Sequence, residues 1–367
     1  MNINYIAMSD IPSKNANSLQ IVQMCNAMSL LGHKVNLIIP NLKKSNKSIR
    51  QFYGIKSKFR VFEVGSEKKE ILKIENLIFP LRLIFKNFFI KKDLIITRNL
   101  VVSFFLILLR INHILELHDD ILSSGKILER LFRNLNLLNS NSIKKIVFIT
   151  SSLKRFISKK YNYNKKNFKI LPDATDIINN KIVKIKKNRL KIGYFGSIYK
   201  SRGIELISKI ASRDKKNDYF IYGGNYSEFI KVNFKYKKNN LFFHPSIPYK
   251  QVKEKIKKMD VLLMPYTNKI TTTGNIGNII NFTSPMKMFD YLGSAKIILC
   301  AEIPVLKEIL KNNYNSILIK NYTNVKAWIN EIDKIKFNQN KFLIIRKNAL
   351  KTALDNTWIK RAEKFLN

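Results

Sequence analysis

Short β-branched runs alternate with helical patterns along this chain, break at a polar stretch near residue 172, and then begin again. Parallel strands cannot be joined by tight turns; each needs a crossover of a dozen or more residues, so this rhythm leaves few architectures open. In the N-terminal half, strands are predicted at Ile3–Met8, Val35–Ile39, Phe59–Val64, Asp93–Thr97, His113–Leu117, Lys145–Thr150 and Phe168–Leu171. A helix follows the first strand from about Asn17, with Ile21, Met24, Cys25, Met28 and Leu31 on one face and Gly32 closing it. Around Pro172–Asn188 the pattern gives way to an Asn/Lys-rich linker. Strands resume at Lys191–Phe195, Tyr219–Tyr222, Asn240–Phe243, Val261–Met264, Lys296–Ala301 and Ser316–Ile319. Helices are predicted at Gly203–Ala211, Tyr249–Lys258, Pro285–Ser294 and Val305–Lys311. The fold class is therefore α/β, with two Rossmann-like doubly wound parallel-sheet domains facing across a cleft at their carboxyl ends.

At 367 residues, 46% of them apolar, the chain has the material for two cores. Lys and Arg number 67 against 25 acidic residues, a formal charge of +42. Such an excess suits a polyanion or an anionic membrane surface. The lysines are spread over the whole chain beside abundant Asn and Ile, as an A+T-rich coding bias produces. No basic element interleaved with aromatic stacking platforms appears, so a specific nucleic-acid ligand is not expected. The two cysteines, Cys25 and Cys300, lie far apart in apolar surroundings and read as buried thiols of a reducing compartment. The first residues lack a charged region and a long apolar core, so no signal peptide is expected. The longest largely apolar run, Leu100 to Leu109, is too short to span a bilayer. A cytoplasmic protein is expected, lying at most on the inner face of a membrane.

Two motifs in the second half carry chemistry. In Tyr194-Phe-Gly196-Ser197-Ile-Tyr-Lys-Ser-Arg202-Gly203, a strand ends in a glycine turn and a helix begins one short loop later. Gly196 lets the backbone approach a ligand, and Arg202 can fork onto phosphate oxygens. In Phe282-Thr-Ser284-Pro285-Met286-Lys287-Met-Phe-Asp290-Tyr291, Ser284 is suited to an N-cap and Pro285 to the first helical position. Lys287 adds a cation in the first turn, and Asp290 can accept hydrogen bonds from ribose hydroxyls. Each motif alone is matched by an ordinary turn or a capped helix. Together, in one domain and in this order, they read as a site for the diphosphate and ribose of a sugar nucleotide.

With Phe243-His-Pro-Ser-Ile-Pro-Tyr-Lys-Gln-Val, Met259-Asp-Val-Leu-Leu-Met-Pro265-Tyr266 and the closing Asn356-Thr-Trp358-Ile-Lys-Arg-Ala-Glu, these segments resemble the family-4 (group 1) glycosyltransferases. Thinner matches in the first half are Ile11-Pro-Ser-Lys-Asn15-Ala-Asn17-Ser, Leu31-Gly-His-Lys-Val35, Ile96-Thr-Arg98-Asn99 and Glu116-Leu-His118-Asp119. The resemblance implies a GT-B fold, with an acceptor-side domain over 1–172, a donor domain over 188–350 and a C-terminal helix over 351–367 crossing back to the first domain. It implies retaining transfer from a UDP- or GDP-linked sugar to a glycan or lipid-linked acceptor, in bacterial cell-surface polysaccharide synthesis, without a metal or other cofactor. On the same ground His118 and Arg202 are the catalytic residues. Gly196, Ser197, Arg202, Ser284, Met286, Lys287 and Asp290 bind the donor, and Asn15, Asn17, Arg98 and Asn99 lie on the acceptor side.

The chain departs from the family in two places. Ser197 stands where a basic residue usually follows the first glycine, and the paired glutamates map to Phe282 and Asp290. Leu77–Lys92 mixes large apolar residues with cations and reads either as a core helix or as a segment resting in a lipid interface. Other readings of the chain are a nucleic-acid-binding protein, from charge alone; an epimerase or inverting transferase of the same fold, with Asp10 or Asp119 as base; and an inactive relative. A dinucleotide oxidoreductase is disfavoured, since no Gly-x-Gly-x-x-Gly follows a strand.

Overall fold

A computed structural model describes residues 1–41, 46–65, 72–86, 94–182, 184–185, 188–233, 239–268 and 278–367. The chain forms two compact units, Met1–Pro172 together with Trp358–Asn367, and Asp173–Thr357.

The first unit is built on strands β1 (Asn2–Ile6), β2 (Lys34–Ile39), β3 (Arg60–Glu63), β4 (Leu94–Thr97), β5 (His113–Leu117), β6 (Ile143–Phe148) and β7 (Phe168–Ile170). They form one parallel sheet in the order β3-β2-β1-β4-β5-β6-β7. Its helices are α1 (Ala16–Leu30), α2 (Asn46–Tyr53), α3 (Leu72–Phe85), α4 (Leu100–Leu108), α5 (Lys126–Asn134) and α6 (Ser151–Lys160). The predicted strands of this half recur within two residues at each end; Asp93 lies outside the described residues. Of Leu77–Lys92, the part through Phe85 lies in α3, where Phe79 and Leu83 are buried beside Val102 and Leu106 of α4. Residues 87–92 lie outside the described residues.

The predicted apolar stripe of α1 understates its burial. Gln20, Gln23 and Asn26 are buried as well: a later helix packs against α1, and Asn26 Oδ1 accepts from the amides of Lys56 and Ser57. In the second unit the sheet comprises β8 (Lys191–Phe195), β9 (Asp218–Tyr222), β10 (Leu241–His244), β11 (Val261–Met264), β12 (Ile297–Ala301) and β13 (Ile317–Ile319). Its order is β10-β9-β8-β11-β12-β13, again all parallel. The helices are α7 (Ile204–Arg213), α8 (Tyr226–Asn233), α9 (Tyr249–Lys257), α10 (Met286–Gly293), α11 (Val325–Phe337) and α12 (Gln339–Leu354). The last helix, α13 (Trp358–Leu366), belongs to the first unit and packs on α1. Lys145 of β6 and Lys169 of β7 donate to the carbonyls of Phe365 and Lys364, at 3.3 and 2.8 Å, and so hold its negative end.

Two expectations are corrected. The helix predicted at Val305–Lys311 is only a 3₁₀ turn, Pro304–Glu308; its apolar residues face a core already covered by α11 and α12, whose helices the sequence reading did not single out. Ser284 is not the N-cap of α10. That position falls on Pro285, which makes no side-chain capping bond, and the Ser284 hydroxyl instead accepts the Asp173 amide at 3.1 Å.

In both sheets the strand order reverses beside the first strand, at β1/β4 and at β8/β11, where ligands of doubly wound folds gather. In the second unit a glycine brings the two flanking loops together. Gly203 sits at φ +75°, and a Cβ there would lie 1.7 Å from the carbonyl oxygen of Pro265, just after β11. Gly203→Ala is therefore expected to lower stability by about 2 kcal/mol or more, read as a fall in the urea midpoint of the second unit's transition.

Candidate functional site

At the end of β8 the chain turns at Gly196, φ +140°, and a Cβ there would meet the Lys287 ammonium at 2.5 Å. Lys287 comes from the first turn of α10 and reaches beneath this turn. Its Nζ lies 4.0 Å from the Tyr194 ring centroid and 5.5 Å from that of Tyr266. The Arg202 guanidinium lies 5.5 Å from the same Tyr266 ring. The Tyr194 hydroxyl donates to the Ser197 carbonyl at 2.6 Å, and the Phe195 amide donates to the Tyr291 hydroxyl at 2.9 Å. These bonds fix the turn and the aromatic wall behind it.

The Lys287 ammonium is buried and, among the described residues, has no hydrogen-bond partner. Burial, then the nearby charge of Arg202, hold its pKa well below the ordinary lysine value, against a small opposing pull from Cys300. Burying a cation without an acceptor costs stability unless something supplies the counter-charge. Two cations over aromatic faces beneath a glycine turn suit an anion such as a diphosphate. Lys287 of α10 places a cation against the turn in which Ser197 follows the glycine. The structure thus brings together Gly196, Ser197, Arg202 and Lys287.

Ser284 and Met286 are both buried at the start of α10. Asp290 lies further into the unit. Its Oδ1 accepts from the hydroxyls of Thr175 at 2.8 Å and Tyr249 at 2.7 Å. Burial raises its pKa to about 6, although the Tyr249 bond, the Lys253 charge and the Thr175 bond oppose this. The partners Thr175 and Tyr249 were not foreseen; one lies in the linker and the other opens α9, so no local spacing links them to Asp290.

In the first unit His118 follows β5, and its Nε2 lies 2.9 Å from Glu116 Oε1. The same oxygen accepts from Gln20 of α1 at 2.9 Å and from Arg361 of α13 at 2.7 Å. Glu116 Oε2 accepts from the Tyr5 hydroxyl at 2.9 Å. Burial pushes the Glu116 carboxyl up, but Arg361, then His118 and Arg98, hold it well below the usual range. Burial and then Arg98 push His118 down to about 4, against the pull of Glu116. Arg98 joins the group through Gln20, whose Oε1 it contacts at 2.5 Å. The other expected acceptor-side residues sit apart from this cluster in local roles. Asn99 caps α4 by accepting from the Val102 amide at 2.9 Å, Asn15 is the exposed residue before α1, and Asn17 donates to the Ser9 hydroxyl at 3.4 Å. Asp119 is spoken for in part, its Oδ1 accepting from the Asp120 amide at 2.7 Å. Among the described residues no three His, Cys, Asp or Glu side chains cluster as metal ligands.

Residues 176–352 match the model of the family "Glycosyl transferases group 1". No curated protein matches the chain by sequence. Among solved structures, sucrose-phosphate synthase from Thermosynechococcus elongatus is similar with a TM-score of 0.73 and 11% identity, over 99% of this chain and 97% of that one. HepE from Anabaena, in complex with UDP and glucose, gives 0.71 and 14% over 100% and 98%. WaaG, a glycosyltransferase involved in lipopolysaccharide biosynthesis, gives 0.67 and 12% over 99% and 98%. At these identities the likeness shows the fold, which is GT-B.

Replacing the buried ammonium tests the anion site. Lys287→Met is expected to raise the stability of the ligand-free protein by about 1–3 kcal/mol near neutral pH and to abolish the thermal shift given by nucleoside diphosphates. A second test uses pH. The folded-state pKa of Asp290 is raised, so its contribution is full below the ordinary carboxyl pKa and is lost as pH rises through about 6. Asp290→Asn should therefore gain roughly 1–3 kcal/mol over the wild type at pH 8 and nothing below about pH 4, in paired denaturation curves.

Proposed function

Since residues 176–352 form a group 1 glycosyl transferase domain and the chain is a glycosyltransferase of GT-B fold, we propose that it is a retaining enzyme. It moves a sugar from a UDP- or GDP-linked donor to a glycan or lipid-linked acceptor in cell-surface polysaccharide assembly. The observation that carries this reading is the pair of cations at the Tyr266 ring, Arg202 and Lys287, the latter beneath Gly196 and without a hydrogen-bond partner among the described residues. In the transfer, the bond between the anomeric carbon and the leaving phosphate oxygen breaks while the acceptor hydroxyl attacks from the same face. The hydroxyl proton passes to the departing phosphate. Negative charge grows on the diphosphate in the transition state, and Arg202 and Lys287 stabilise it there without a metal ion, an electrostatic contribution strengthened by burial. Met286, Ser284 and the Gly196–Ser197 backbone line the diphosphate, and Asp290 shapes the ribose end. His118, neutral near pH 7, accepts a hydrogen bond from the sugar.

HepE, solved with UDP and glucose, favours UDP as the carrier, and WaaG, acting in lipopolysaccharide synthesis, favours a surface-glycan acceptor. Asn15, Asn17, Arg98 and Asn99 belong to the acceptor side in this reading. The enzyme works in the cytoplasm at the inner face of the membrane. Its charge of +42 is attracted to anionic lipid. Phe85 and Leu108, 83% and 60% exposed beside Lys86 and Arg110, offer apolar contacts at the ends of α3 and α4. No helix among the described residues is long and apolar enough to cross a membrane.

Arg202→Ala is expected to cut kcat/KM by roughly 10²-fold or more with the fold intact. The measurement is sugar transfer to a glycan acceptor from each of UDP-, GDP- and ADP-linked donors, beside the circular dichroism spectrum. Near-normal turnover would sink the assigned phosphate site.

A further inference from the structure

Glu116 is buried completely and holds together three elements that are far apart in sequence. Its Oε1 alone serves Gln20 from α1, His118 after β5 and Arg361 from α13, while Oε2 serves Tyr5 from β1. Arg361 is committed on every side. Its Nε donates to the Pro172 carbonyl at 2.6 Å, Nη2 also donates to the Leu171 carbonyl at 3.1 Å, and Nη1 lies 3.0 Å from the Met24 sulfur. A helix anchor needs only the two carbonyl bonds. The third direction, onto the same carboxylate oxygen that faces His118, is the unexplained one.

A carboxylate kept ionised cannot donate, so a neutral imidazole beside it must carry its proton on the nitrogen that faces it. For His118 that nitrogen is Nε2. The Nδ1 lone pair is then left as an acceptor, on a side chain that is 21% accessible. We propose that Arg361 of the C-terminal helix is a positioning residue for transfer: by holding Glu116 ionised, it fixes His118 in the Nε2–H tautomer and reserves Nδ1 to accept a hydrogen bond from a hydroxyl of the transferred sugar. This rests on the reading of His118 given above and adds to it the group that sets the state of the ring. The charged and titratable groups facing the pair are Arg98 after β4, Tyr5 on β1, Cys25 on α1 and Arg361 on α13. Of these the two arginines favour the neutral ring, and removing one of them lets the carboxylate draw a proton onto it.

The test uses the full chain labelled with [¹⁵N]histidine, with the His118 signals identified from a His118→Gln sample. In the wild type, long-range ¹H–¹⁵N spectra should place the proton on Nε2, and the ring should stay neutral from pH 8 down to pH 5. In Arg361→Met the ring should take up a proton at higher pH. Its kcat should fall roughly tenfold to a hundredfold on the acid side and recover as pH rises, with the KM for the donor unchanged. Arg361→Lys, which keeps the charge, should restore the flat acid side. An Nδ1–H tautomer or an ordinary histidine titration in the wild type would overturn the proposal. So would an Arg361→Met enzyme whose activity falls equally at all pH values while the ring is unaltered. If Arg361→Met does not fold, the wild-type spectra and Arg361→Lys decide the matter. The spectra need no substrate, and the nucleoside-diphosphate thermal shift is read on the second unit, so failure of the wider functional reading shows separately.

Discussion

A parallel sheet closes only through crossovers long enough to return the chain to its starting edge, and this requirement organises both units. Every strand ends at the same edge, so the segments that follow the strands collect there whatever their separation in sequence. Arg98 and Asn99 after β4 and His118 after β5 become neighbours at one sheet edge. Gly196 after β8 and Pro265–Tyr266 after β11 become neighbours on the other. Both sheets reverse their strand order beside the first strand, which parts the crossovers to opposite faces and leaves room at that edge. The candidate residues His118 and Gly196 sit at these edges; the short apolar strands behind them supply the stability against which their burial is set.

The two edges handle buried charge in opposite ways. Around Glu116 the network is closed: each carboxylate oxygen is used, and Arg361 spends its donors on that carboxylate, on backbone carbonyls and on the Met24 sulfur. Such a group is rigid and gives one arrangement, and removing a single member strands a buried charge. Around Lys287 the network is open. The ammonium rests on tyrosine faces with another cation nearby and, among the described residues, no acceptor. A closed network fits a part that must hold still during turnover; an open one fits a part whose counter-charge arrives with the substrate. The same contrast separates Glu116, held ionised, from Asp290, whose carboxyl is raised by burial and accepts from the neutral hydroxyls of Thr175 and Tyr249.

The fold was legible because apolar periodicity and glycine turns are local signals. His113–Leu117, Lys191–Phe195 and Val261–Met264 were read to the residue, each a short run bounded by polar or turn-forming neighbours. Where a neighbour in space decided the outcome, the reading fell short. Val305–Lys311 has helical spacing but closes only a 3₁₀ turn. Ser284 has the chemistry of a cap, yet its hydroxyl takes the Asp173 amide from the linker. Gln20 and Asn26 look like the wet side of α1 until Glu116 takes the one and the Lys56 and Ser57 amides take the other.

The candidate site divides along the same line. Residue types in order along the chain (a glycine turn, an arginine six residues on, a lysine in the first turn of a later helix) were enough to nominate an anion site, because those chemistries are carried by the side chains themselves. The sequence likewise determined two α/β units, a basic surface and two isolated thiols. Only the tertiary structure decided that Lys287 lies beneath Gly196, beside Ser197. Only it decided that Glu116, Gln20, His118 and Arg361 meet, across a separation of 245 residues between Glu116 and Arg361. Hydrogen bonds and burial depend on distance in space, and distance in space follows from how the crossovers and the final helix pack, which no local spacing records.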